Sequence, residues 1–83
     1  MKILYFAWLR ERVGKADELI EPPASVRTIS DLMSWLAARG EEYGYAFENR
    51  RVIRAAIDKV HVKPETPIGG AHEIAFFPPM TGG

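Results

Sequence analysis

Eighty-three residues make one small domain with room for a single core, and 47% hydrophobic with 27% charged residues are the proportions of a folded globular chain, not a disordered one. Eleven basic residues offset eleven acidic ones, so no overall field draws the chain to nucleic acid or anionic lipid, and neither is expected as a partner. The absence of cysteine removes disulfides, thiolate zinc sites, iron–sulfur clusters and thiol nucleophiles, and is compatible with a reducing compartment.

The opening MKILYFAWLRER sets a lysine before a short apolar run and then Arg10, Glu11 and Arg12. No small-residue cleavage site follows, so a buried strand is favoured over a secretory signal. The run is far short of the roughly 20 residues a membrane helix needs, and a cytoplasmic protein is expected. Residues 2 to 9 are apolar on both alternating sets, as in a central strand covered on both faces. The chain turns at Gly14, and Glu18 to Glu21 return as a second strand before Pro22 and Pro23 end the pairing.

Thr28 caps the clearest helix, in which Ile29, Leu32, Met33 and Leu36 form a core-facing stripe. Asp31 completes an imperfect capping box, and Gly40 is expected to supply a left-handed stop. Residues 41 to 51 read as a long loop with room for one helical turn. Residues 52 to 57 and 60 to 62 then form two strands that reverse at Asp58-Lys59. After a turn through Pro64, Pro67, Gly69 and Gly70, a last strand runs from His72 to Phe77, with Ile74 and Phe76 toward the helix and Ala75 and Phe77 away from it. This order is that of an α+β, ubiquitin-like β-grasp domain: a mixed sheet with one main helix across one face, spanning residues 1–83 and ending in an extended, flexible tail over residues 78–83.

No self-contained active site is visible. His61 and His72 lack a third ligand at a metal-binding spacing, and no metal site is expected. The serines lie in or beside the helix and the glycines form no phosphate-binding pattern. Arg50, Arg51 and Arg54 form the one basic cluster, suited to an acidic partner, a phosphate or plain solvation.

The ending FFPPMTGG is the main functional candidate. Pro78 and Pro79 stiffen the exit from the sheet at about 3.1 Å per residue. Met80, Thr81, Gly82 and Gly83 then taper to bare backbone, and the stretch from Pro78 reaches about 20 Å when extended. Such a tail can enter a partner's active site through a channel too narrow for a Cβ. Its α-carboxylate is an anion at neutral pH and a poor electrophile until a partner activates it by adenylation.

The FFPPMTGG ending, the MKILYFAWLRERVG opening and the AAIDKVHV hairpin together resemble the small subunit of molybdopterin synthase over nearly the whole chain. The resemblance implies a non-catalytic sulfur carrier. An E1-like adenylyltransferase, using ATP, activates Gly83; a sulfur-donor enzyme supplies sulfur for a thiocarboxylate; and the large subunit receives the inserted tail (Pro78, Pro79, Met80, Thr81, Gly82). There sulfur passes to cyclic pyranopterin monophosphate to build the molybdopterin dithiolene, in an elongated heterotetramer. This chain is implied to bind no cofactor itself.

The resemblance also matches Phe6 and Phe77 to apolar positions of the partner-facing patch; His61 departs from it, since the family commonly has an apolar residue there. Strand alternation independently puts Lys2, Leu4, Phe6 and Trp8 on the face opposite the helix, with Phe77. The competing arrangement has residues 41 to 51 folding over these aromatics. Three other functions stay open: a ubiquitin-like modifier, in which a lysine amine attacks activated Gly83, a carrier for thiamine or tRNA thiolation, and a plain interaction module with an inert tail.

Overall fold

The computed structural model describes residues 1–79. Strand β1 (Lys2–Tyr5) is followed by helix α1 (Ala7–Val13), strand β2 (Asp17–Leu19), helix α2 (Ile29–Ala37) and helix α3 (Glu41–Ala46). A 3-10 turn (Arg50–Val52) then leads into β3 (Arg54–Ile57), β4 (Val60–Val62) and β5 (Glu73–Phe77). The sheet order is β2-β1-β5-β3-β4. β1 and β5 run parallel at its centre, and every other pairing is antiparallel. This mixed sheet with its helices on one face is the β-grasp fold.

The first apolar run is only half a strand. β1 stops at Tyr5, and Ala7 takes a left-handed φ of 54° that redirects the chain into α1. Leu9 and Val13, one helical turn apart, are buried, while Arg10 and Glu11 face solvent. An apolar stretch too short to show its period fits either structure, and here the 3.6-residue period prevails from residue 7 onward. Gly14 ends α1 with φ 88°, its N–H donating to Arg10 at 2.9 Å.

β2 lies slightly earlier than the expected Glu18–Glu21, over Asp17–Leu19. α2 is the stripe seen in the sequence, with Ile29, Leu32, Met33 and Leu36 buried. Its capping box is complete: Asp31 N–H donates to Thr28 Oγ1 at 3.1 Å, and Thr28 N–H to Asp31 Oδ2 at 3.2 Å. The loop after β4 satisfies two further amides of the first turn, because Ile29 and Ser30 donate to the carbonyls of Thr66 and Pro64.

Gly40 is not a left-handed stop. It is extended, at φ 170°, and leads directly into α3, so much of the expected long loop is helix. Tyr43, Ala46 and Phe47, spaced i, i+3, i+4, all turn into the core. The third strand begins at Arg54, not Val52, which belongs to the 3-10 turn, and the last begins at Glu73, leaving His72 in a bend.

Asp58 and Lys59 make the expected reversal with φ of 46° and 73°, the positive pair of a type I′ turn. The Asp58 carboxylate then accepts from the backbone N–H of His72 and Glu73, at 3.1 and 2.9 Å through Oδ1, and so fastens the turn to the start of β5.

One core lies between the sheet and the three helices, built on Ile3, Tyr5, Ile74 and Phe76 from the central strands. Phe47 stands edge-on to Phe76 at 5.3 Å and to Tyr5 at 6.4 Å. No helix among the described residues is long and apolar enough to cross a membrane.

Candidate functional site

Because side chains alternate, the strands that send Ile3, Tyr5, Ile74, Phe76 and Ala55 into the core send the intervening residues to the other face, which none of the three helices covers. Register aligns Leu4, Ala75, Ala56 and His61 across β1, β5, β3 and β4. Phe6 follows β1, and its N–H donates to Phe76 at 3.1 Å, so it continues the β1–β5 seam. The result is an open depression of about 490 Å³ lined by Phe6, Ala56, Lys59, His61, Ala75 and Phe77. Phe6 is 46% exposed although its neighbour Tyr5 is 1% exposed.

Phe6, Phe77 and His61 are therefore brought together on one surface, His61 included, although it is polar where the resemblance expects an apolar residue. The floor of Ala56 and Ala75 and the rim residue Lys59 were not singled out from the sequence; the small pair AA in RAAI, opposite the alternating EIAFF, was the available signal. Trp8 does not join the row. It lies on α1, half-buried, under the Arg12 guanidinium at 4.6 Å, and Arg12 also covers Tyr45 at 4.0 Å. Residues 41 to 51 do not cover the patch either, since Tyr43 and Phe47 pack on the opposite side of the sheet against Tyr5.

The depression adjoins the exit of the chain. Phe77 ends β5, and Pro78 and Pro79 follow it half-buried. Met80, Thr81, Gly82 and Gly83 lie outside the described residues. Among the described residues no group of three His, Cys, Asp or Glu side chains could hold a metal ion.

The main polar network lies away from the depression. Glu18 accepts from Tyr5 Oη and Tyr43 Oη, both at 2.7 Å, and from Arg39 Nη1 at 3.1 Å. Burial alone would raise its carboxyl, but these hydrogen bonds outweigh burial and hold it below the usual carboxylate range. Burial first, and the hydrogen bond to Glu18 second, push the Tyr5 and Tyr43 phenols upward. These groups join β1, β2 and α3.

Two curated relatives align along the full chain. It is 35% identical over 83 residues to the molybdopterin synthase sulfur carrier subunit of Escherichia coli, covering 100% of this chain and 99% of that one. The subunit of the same name from Haemophilus influenzae is 31% identical with the same coverage. Among solved structures, small archaeal modifier protein 1 of Haloferax volcanii superposes with a TM-score of 0.73, covering 96% of this chain and 97% of that one; at 20% identity it shares the fold. The ThiS family model matches residues 3–83, from the first core residue of β1 through the Gly-Gly end, and the chain belongs to the ThiS family.

Proposed function

We propose that this chain is the sulfur carrier subunit of a molybdopterin synthase, not an enzyme by itself. The observation that carries the reading is the end-to-end similarity to two curated subunits of that name. An apolar sheet face beside the exit of the tail supports it, because a carrier must dock while its last residues reach into another protein.

In the proposed cycle the Gly83 carboxylate attacks the α-phosphorus of ATP in an adenylyltransferase and displaces pyrophosphate. A sulfide-level sulfur nucleophile from a donor enzyme then attacks the acyl carbon and displaces AMP, leaving a thiocarboxylate. With the tail from Pro78 to Gly82 inserted in the large subunit, that sulfur attacks cyclic pyranopterin monophosphate, and water then cleaves the acyl–sulfur bond, leaving sulfur on the precursor and restoring the Gly83 carboxylate. Phe6, Phe77 and His61 would meet the large subunit. The carrier would bind no cofactor of its own, and its glycine end would leave room for attack on the acyl carbon.

Intact mass spectrometry tests the reading. With ATP, the adenylyltransferase and a sulfur donor, one oxygen of the terminal residue should be exchanged for sulfur. Large subunit and cyclic precursor should then restore the carboxylate as product forms. Gly83 found mainly in isopeptide bonds to other proteins, with no thiocarboxylate, would replace the carrier by a modifier.

A further inference from the structure

The depression on the uncovered sheet face is apolar except at two places. Phe6, Ala56, Ala75 and Phe77 line it with carbon, and the other two lining residues are Lys59, on the β3–β4 turn, and His61, on β4. Lys59 is exposed at the rim, and its long stem can keep the ammonium in water when the face is covered. His61 has no such reach. Its imidazole stands against Phe77 with ring centroids 5.1 Å apart, so the part of the side chain that carries charge is itself a wall of the depression.

No carboxylate lines the depression to receive a charged imidazole. On β3 the residue opposite His61 is Ala56. The charged residues nearest to Ala56 along that segment are already engaged: Arg54 Nη1 donates to the Arg51 carbonyl at 3.2 Å, and the Asp58 carboxylate accepts from the His72 and Glu73 amides. On β5, Phe77 and Ala75 are followed in the same alternation by Glu73, whose register partner on β1 is Lys2. Lys59 and Lys63 flank β4 with like charge, and none of the three ion pairs among the described residues involves His61. An imidazolium here is well solvated while water covers the face. Once a protein surface replaces that water it becomes a buried charge without a partner, which is far more costly to bury than the neutral ring.

We infer that His61 gates docking by its protonation: the large subunit closes over this face only when the imidazole is neutral, so association at acid pH must expel a proton from the ring. The inference rests on the carrier reading and deepens it. Phe77 immediately precedes Pro78, and the stretch beyond reaches only about 20 Å when extended, so the protein that encloses Gly83 lies within that distance of the depression. Histidine is the one side chain whose ordinary charge change falls between about pH 5 and 8. Affinity is therefore full at the alkaline end of that range and falls toward the acid end, by at most about tenfold per pH unit.

The test measures large-subunit binding by calorimetric titration at pH 7.5 and pH 5.5, at constant ionic strength, for wild type, His61→Leu and His72→Gln, each checked for folding by circular dichroism. Wild type should bind about tenfold more weakly at the lower pH than at the higher, beyond any change shown by His61→Leu. His72 is the other histidine and does not line the depression, so His72→Gln should behave as wild type. A second measurement needs no variant. In labelled wild type the His61 ring protons should shift between pH 8 and pH 5 when the carrier is free, and should stay at their neutral position to about pH 5.5 in complex with excess unlabelled large subunit.

Equal pH dependence in wild type and His61→Leu would overturn the inference, as would tighter wild-type binding at pH 5.5, which would mean that the partner offers the ring a carboxylate. A His61 ring that titrates in the complex as it does in the free carrier would overturn it too. Wild type that docks and delivers sulfur with no such pH dependence sinks this inference and leaves the carrier reading standing. Wild type that binds no large subunit at any pH would sink both.

Discussion

His61 on β4 and Phe77 on β5 are two strands apart, yet their ring centroids lie 5.1 Å from each other, tilted by 45°. The residue of β3 opposite His61 is Ala56, whose methyl is too short to keep the rings apart. The two rings thus close one side of the depression that Phe6 bounds on the other.

Adjacent phenylalanines at the end of β5 should respond in opposite ways. Phe76 is 0% exposed and touches Phe47, so Phe76→Ala should cost about 3–5 kcal/mol of stability, read by urea denaturation. Phe77→Asp should leave the monomer folded but weaken large-subunit binding by about 2 kcal/mol or more, read by calorimetric titration. An unfolded Phe77→Asp monomer would place that ring in the core and refute the face assignment.

Glu18 should be the most costly polar residue to remove. Glu18→Ala strips the acceptor from two tyrosine hydroxyls and one arginine, a loss of about 2–3 kcal/mol. Its carboxyl is held below the ordinary value, so its contribution is full above the unfolded carboxylate pKa of about 4.3 and is lost as pH falls through the lowered folded value. Denaturation curves from about pH 7 down to about pH 3 should therefore lose more stability in wild type than in Glu18→Gln. Parallel curves would show that Glu18 is not held in its charged form.

The β3–β4 turn invites a stabilising change. Lys59 sits at φ 73° with a side chain that conformation disfavours, and Lys59→Gly should gain roughly 0.5–1 kcal/mol in thermal melts. Asp58→Gly relieves similar strain but removes the carboxylate that holds His72 and Glu73, so it should be destabilising. Equal gains at the two positions would mean that this carboxylate contributes nothing.

Replacing Gly82 by leucine, or adding a residue after Gly83 that is shown to stay in place, should abolish sulfur transfer while the melting temperature stays unchanged. Product formation at the wild-type rate by either protein would be incompatible with a tail that threads a narrow channel.

The main helix and the faces of the last strand were legible because each carried a full period: Ile29, Leu32, Met33 and Leu36 behind a Thr28 cap, and Phe76 beside Phe77. The first turn was not. Ile3 to Leu9 contains no polar residue to mark a phase, and the left-handed corner falls on Ala7, where sequence gives no glycine to announce it. α3 carried a usable signal in Tyr43, Ala46 and Phe47 with Glu41 and Glu42 at the favourable end of the helix dipole. The interior Gly44 and the apparent stop at Gly40 obscured it. Of the candidate site, Phe6 and Phe77 followed from alternation, whereas the closeness of His61 to Phe77 depends on strand order, which no local pattern encodes.

The parallel seam between β1 and β5 also governs how the domain can assemble. β2 pairs only with β1, and the β3–β4 hairpin joins the sheet only through β5, so within the sheet the two halves meet along one ladder between residues about seventy positions apart in sequence. Such a closure has a large loop entropy to overcome and should come late in folding. Until it forms, Ile74 and Phe76 lack Ile3 and Tyr5 beside them in the core. The amides of β1 and β5 should accordingly be the last to exchange with deuterium, at a rate that tracks global unfolding.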